Sequence, residues 1–122
     1  MNVNFEELAH FSPWEFFVTE VQCIHNLPNQ WKHIENIYLL AKVLDEIREE
    51  FGAPIKVTSG FRTPYVNCEV GGVPDSFHQF GRAADITCSR LDDFRKLCDI
   101  CKRYEFTEYI EYPQKRFIHL AI

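Results

Sequence analysis

The sequence predicts a single α+β domain over residues 1–122, with helices packed on one face of a small, mostly antiparallel sheet. Three observations predict it. One long stretch carries apolar residues at helical spacing, and short alternating stretches cluster in the second half of the chain. The third is size: 122 residues leave room for one core and little else. With 46% apolar and 15% aromatic residues the chain can bury that core and is not a disordered tail. No internal repeat, low-complexity segment or linker divides it.

The elements follow in order. Residues 4–8 and 12–17 read as short helical packing pieces, with Ser12 able to cap a turn that has Pro13 at its first position. Trp14, Phe16 and Phe17 are expected in the core or covering it. Pro28 and Asn29 open the longest helix, from about residue 30 to 51, on which Ile34, Ile37, Ala41, Leu44 and Ile47 form an apolar stripe. Gly52 is placed to end it. Residues 55–58 alternate like a half-buried strand. The stretch from 59 to 78 is mainly loop, with a helical turn near 65–70. A strand over 83–87 carries Asp85 near its middle. Ser89 and Asp92 have capping-box spacing, which starts a helix running to about 103 with Leu91, Phe94, Leu97 and Cys101 inward. Residues 106–112 and 117–122 read as two closing strands joined by a hairpin-like turn at 113–116.

Composition excludes several classes of function. A net charge of −5, with only short basic clusters at Lys102-Arg103 and Lys115-Arg116, argues against nucleic acid as a partner. No run approaches the ~20 apolar residues that span a bilayer, so no membrane insertion is expected. The first residues lack the basic start and apolar stretch of a signal peptide, so the chain is expected to be cytoplasmic on synthesis. The five cysteines (23, 68, 88, 98 and 101) are odd in number and irregularly spaced, as for reduced thiols. Cys98 and Cys101 form one Cys-x-x-Cys inside a helical pattern, read as two small semi-buried residues on one helix face.

The chemistry concentrates between residues 76 and 85, Ser-Phe-His-Gln-Phe-Gly-Arg-Ala-Ala-Asp, and in the closing Phe117-Ile-His119-Leu. Two imidazoles and one carboxylate make a three-ligand set for a catalytic zinc ion whose fourth position is left to water. Each residue also has an ordinary reading. Asp85, on a strand of Ala, Ile and Thr, needs a partner, which a metal or an Arg or Lys would supply equally well. His119 reads also as a satisfied strand histidine, and His78 as a loop histidine. His10, His25 and His33 are assigned to surface or helix packing. No His-Glu-x-x-His occurs, which excludes the helical two-histidine arrangement of other metalloproteases.

Ser76-x-His78-x-x-Gly81-x-Ala83-x-Asp85, preceded by Ser59-Gly-Phe-Arg62 and followed by His119, resembles the D-alanyl-D-alanine metallopeptidase family. The likeness is to its compact, phage-like branch, and takes in Lys56 to Arg62, Val66-Asn67, Val70 to Pro74 and the terminal Phe-Ile-His. It implies a Zn2+ cofactor held by His78, Asp85 and His119. Arg62 would hold a substrate carboxylate or a developing oxyanion, and Ser76 would shape the loop and line the substrate site. The implied activity is hydrolysis of a peptide bond in bacterial peptidoglycan, of carboxypeptidase or endolysin type, by a monomer released to the wall on lysis. The alternative is a non-catalytic, zinc-stabilised domain that binds cell-wall peptides or a phage protein.

Such an enzyme also needs a glutamate to carry a proton from water to the leaving amine. Family members place it before the terminal histidine, often beside a tryptophan; here that region offers Glu108 and Glu111, with no tryptophan. Three residues apart on a regular strand, they face opposite sides of the sheet, so at most one points to the metal. Glu111, nearer the turn, is the expected base.

Overall fold

A computed structural model of the chain describes residues 2–23 and 25–122, the side chain of Leu91 excepted. Its elements are α1 (Trp31–Phe51), β1 (Lys56–Ser59), α2 (Pro64–Glu69), β2 (Ala83–Thr87), α3 (Leu91–Cys101), β3 (Glu108–Tyr112) and β4 (Phe117–Ala121), with 3-10 turns at Phe5–Glu7, Pro13–Phe16 and Phe77–Phe80. The strands form one antiparallel sheet in the order β1-β2-β4-β3. This is the α+β architecture the sequence implies.

Side chains alternate across a strand, so each register decides a face. Val57, Ala84, Ile86, Ile118 and Leu120 point to the helices and are buried. From α1 they meet Ile37, Leu40, Ala41, Leu44 and Ile47, and from α3 Phe94, Leu97, Cys98 and Cys101. Burying each Leu or Ile contributes about 1.5–3 kcal/mol, so this face holds the fold together. Cys98 and Cys101 are both free thiols in that core, where burial pushes Cys101 up to about 12 and keeps it an unreactive thiol. The opposite face of the sheet is left for Asp85 and His119.

The long helix ends as expected: Gly52 takes the left-handed conformation (φ 77°) and its N–H bonds the Arg48 carbonyl at 3.0 Å. Ser12 precedes the turn at Pro13–Phe16, and its N–H donates to the Glu15 carboxylate at 2.8 Å. Phe16 is fully buried, whereas Trp14 is 71% exposed and sits edge-on to Phe17, so it is cover and not core.

Three expectations are corrected. Arg90, not Ser89, is the residue before α3, and no side chain caps that end. The acid in step with that start is Asp93, whose carboxylate lies 3.6 Å from the Arg90 side chain, so the Ser89–Asp92 box has no helix end to close. The helix also stops at Cys101, before residue 103. The inward placing of Leu91 lies outside the described side chains. Strand β3 starts at Glu108, because Phe106 stacks on Tyr109 and Thr107 only begins the pairing, donating to the Ala121 carbonyl at 2.8 Å.

Candidate metal centre

Asp85 on β2 and His119 on β4 are directly paired residues, which places their side chains on the same face. His119 Nδ1 lies 2.9 Å from Asp85 Oδ1. The third member arrives from a different element. The turn Phe77–Phe80 carries His78 over the end of the sheet, and His78 Nε2 lies 3.3 Å from the same Asp85 oxygen. One donor atom from each of the three residues falls within 4.8 Å of the others.

The turn is built to hold His78 in place. Ser76 Oγ accepts the His78 backbone N–H at 3.2 Å, and Gly81 closes the turn at φ 73°. A side chain at Gly81 would stand 2.6 Å from the His33 carbonyl of α1, so only glycine allows this turn to sit against the helix. Asn36, buried in the middle of α1, ties down the far end by donating to the Phe80 carbonyl at 2.9 Å. His78 is 2% exposed, and its Nδ1 bonds the Gly60 carbonyl at 2.7 Å. A carbonyl only accepts, so Nδ1 carries a proton and Nε2 is the nitrogen turned toward Asp85. Metal-ligating histidines are held by outer partners of this kind. Two imidazole nitrogens and one carboxylate oxygen converging on one point are a donor set that fits a zinc ion with an open position.

Arg62 reaches the same point from the segment after β1. Its Nη2 lies 3.6 Å from Asp85 Oδ2, its Nε donates to Ser59 Oγ at 3.1 Å, and its Nη1 donates to Asn67 Oδ1 at 3.3 Å. Asn67 is itself fixed, donating to the Val73 carbonyl at 2.9 Å. Asn26 joins three loops: it donates to the Phe17 and Phe61 carbonyls and accepts the Thr63 N–H. Arg62, Ser76, His78, Asp85 and His119 line one cavity of about 200 Å³ with Val73, Tyr112 and Phe117.

Charges in this cluster reinforce one another. Burial works to raise the Asp85 carboxyl, but hydrogen bonds from His119 and His78, and their charges, hold it at about 2. His119 is raised, first by its hydrogen bond to Asp85, against burial, and further by Glu108.

The two candidate glutamates separate. Glu111 is placed on the helix side of the sheet: it pairs with Ile118, accepts from the Tyr109 hydroxyl at 2.8 Å, and lies 3.2 Å from Lys102 and 3.7 Å from Arg95. It does not join the cluster. Glu108 does share the face of His119, and its Oε1 lies 2.8 Å from His119 Nε2. Among the described residues, Asp85 is the one carboxylate lining the cavity.

The other histidines stand apart. His10 bonds Glu49 at 2.6 Å, His25 is exposed, and His33 packs between the rings of Phe61 and Phe80. A larger hollow of about 640 Å³ beside His33 holds no ligand set among the described residues. Reading the sequence missed Asn26 and Asn36, and gave Asn67 no role beyond its place in the resemblance. Their signal was polar amides within apolar helical or Gly- and Pro-rich segments, where a buried side chain must find backbone partners.

No curated protein matches the chain. A family model described as Peptidase M15 matches residues 4–121, a span that takes in α1, the whole sheet, the His78 turn and all three candidate ligands. With a cluster that can hold a metal ion on the sheet face and a family match across nearly its whole length, the chain belongs to the peptidase M15 family of D-alanyl-D-alanine metallopeptidases.

Proposed function

We propose that the protein is a zinc-dependent peptidase that hydrolyses a peptide bond in bacterial peptidoglycan stem peptides or cross-links. The observation that carries this reading is the convergence of His78 Nε2, Asp85 Oδ1 and His119 Nδ1 at the floor of a cavity beside Arg62. Zinc held there would supply a Lewis acid and bring the pKa of a bound water toward about 7. His78, tied to the Gly60 carbonyl, and Asp85, paired across the sheet with His119, keep the donors fixed.

Arg62 would orient the substrate. Ser59 and Asn67 fix its guanidinium in place, so a substrate carboxylate or carbonyl oxygen meets a charge that needs no reorganisation. Ser76 contributes to the rim of the cavity and, through the His78 N–H, to the turn. Tyr112, stacked on Phe117 at 4.4 Å, forms an aromatic wall against which a peptide side chain can lie. The substrate partner is a peptide of the cell wall.

The position of Glu111 favours one further reading. With Glu111 held by α3 and Glu108 held by His119, no glutamate among the described residues lines the cavity, as suits a zinc-stabilised domain that binds cell-wall peptides without cutting them. Chelation separates these readings. Cleavage of a peptidoglycan peptide that a chelator stops and zinc restores supports the peptidase. Peptide binding without cleavage by the zinc-loaded protein supports the binding domain.

A further inference from the structure

We propose that Glu108 is a positioning residue for His119, setting which ring nitrogen faces the metal, and is not the proton carrier of the reaction. The proposal rests on the metal-binding part of the reading above and is independent of whether a peptide is cut.

A neutral imidazole has one N–H and one bare nitrogen, and the partner of the first decides which atom is left to ligate. The two histidines of this centre use opposite atoms. In His78 the Gly60 carbonyl accepts the Nδ1 proton at 2.7 Å and leaves Nε2 as the nitrogen available to a metal. In His119 the Glu108 carboxylate stands 2.8 Å from Nε2, and an ionised carboxylate only accepts. Nδ1 lies 2.9 Å from Asp85 Oδ1, so without metal each ring nitrogen faces a carboxylate. A metal beside Asp85 would take the place of the Nδ1 proton, and Glu108 would keep the proton on Nε2. One ligand is fixed by backbone, the other by a side chain from the neighbouring strand.

The register explains how Glu108 gets there. Glu108 is opposite Ala121, two residues beyond His119 on the same face of β4. A methyl group at 121 leaves the diagonal open, so the longer Glu108 side chain leans back to the ring. Among the described residues His119 is the one partner of the Glu108 carboxylate, and Glu108 remains 44% exposed while His119 is 16% exposed. It contributes nothing to the core and does not line the cavity where the ligands converge. To carry a proton there it would have to release Nε2.

Zinc affinity separates the two roles. It is measured by competition with a chromophoric chelator for the wild type, Glu108→Ala and Glu108→Gln, with long-range 15N–1H correlation spectra of the His119 ring. The expected result is a loss of zinc affinity of about 10–100-fold for Glu108→Ala. Glu108→Gln keeps most of the affinity, because its amide oxygen still accepts the Nε2 proton. The wild-type spectrum shows the proton on Nε2. Thermal unfolding of metal-free Glu108→Ala at the wild-type temperature confirms that the loss is local. Wild-type zinc affinity and an unchanged ring tautomer in Glu108→Ala would overturn the proposal. So would a Glu108→Gln variant that keeps full zinc affinity yet loses all turnover, since that is the behaviour of a proton carrier. A wild type that binds no zinc would overturn the metal centre itself, and with it this proposal.

Discussion

Glu111 and His119 stand on opposite faces of the β3–β4 ladder, because the residue paired with His119 is Ile110. Glu111 is therefore a structural tie between sheet and helix. Burial works to raise its pKa, but the Tyr109 hydroxyl and the Lys102 ammonium, with Arg95, hold it below the ordinary glutamate value. Removing it takes away the charged acceptor of the half-buried Tyr109 hydroxyl and leaves only the longer bond to the Cys98 carbonyl at 3.3 Å. Glu111→Ala is expected to lower stability by about 1–2 kcal/mol, the cost of a lost charge-assisted hydrogen bond, and to leave zinc affinity at the wild-type value. Denaturant unfolding and a zinc titration on the same variant check both halves.

The cluster of Asp85 and His119 predicts opposite pH responses with and without metal. Asp85 titrates at about 2 in the folded protein against an ordinary 3.8, so its contribution is present above 3.8 and is lost as pH falls toward 2. His119 is raised above 6.5, so its contribution is full below 6.5 and is lost as pH rises through the higher folded value. The metal-free protein is expected to owe most stability to this pair between about pH 4 and 6.5. Zinc competes with protons for the same nitrogens, so its stabilisation grows as pH rises. Thermal unfolding from pH 3 to 8, with zinc and with a chelator, should show the two curves diverging upward from about pH 6.

Gly60 couples the core to the metal centre. Its carbonyl holds His78 Nδ1, and a β-carbon at 60 would meet the backbone of Phe16 at 2.6 Å. A backbone neighbour yields only by moving the segment that carries the carbonyl. Gly60→Ala is expected to destabilise the fold by about 1–3 kcal/mol and also to weaken zinc binding. Loss of stability with undiminished zinc affinity would show that the carbonyl does not need to stay where it is.

Arg62 is held by Ser59, Asn67 and Asp85, and is not itself one of the candidate ligands. Arg62→Ala is expected to retain zinc and to reduce kcat/KM by about 10²–10³-fold, the usual cost of losing one preorganised donor. Arg62→Lys should recover little, because a point charge cannot bond Ser59 and Asn67 while facing the cavity. Steady-state kinetics on metal-saturated variants check this.

Much of the fold was legible in the chain. The stripe from Ile37 to Ile47 and the stop at Gly52 marked α1, and the Ala-rich run around Asp85 marked β2, because core burial and a left-handed glycine leave local patterns. The spacing from His78 to Asp85 with Gly81 between them pointed to the cluster. What local pattern does not carry is which strand neighbours face which side. Strand ends at Tyr112 and Phe117 imply that Ile110 meets His119, which puts Glu108 on the ligand face. The two-residue period put Glu108 and Glu111 on opposite faces, but choosing Glu111 for its nearness to the turn left out the register that puts Glu108 on the face of His119. Gly60 and Asn26 act through backbone contacts between distant loops, and Asn67 through a side-chain bond to the nearby Val73 carbonyl, none of which leaves a periodic trace.

The most direct measurement is mass spectrometry of peptidoglycan fragments after incubation with zinc-loaded protein, beside a His119→Ala control. New peptide termini are expected with the wild type alone, and their identity names the bond that is cut. An unchanged wall in the presence of stoichiometrically bound zinc would contradict hydrolysis and leave a zinc-stabilised binding domain.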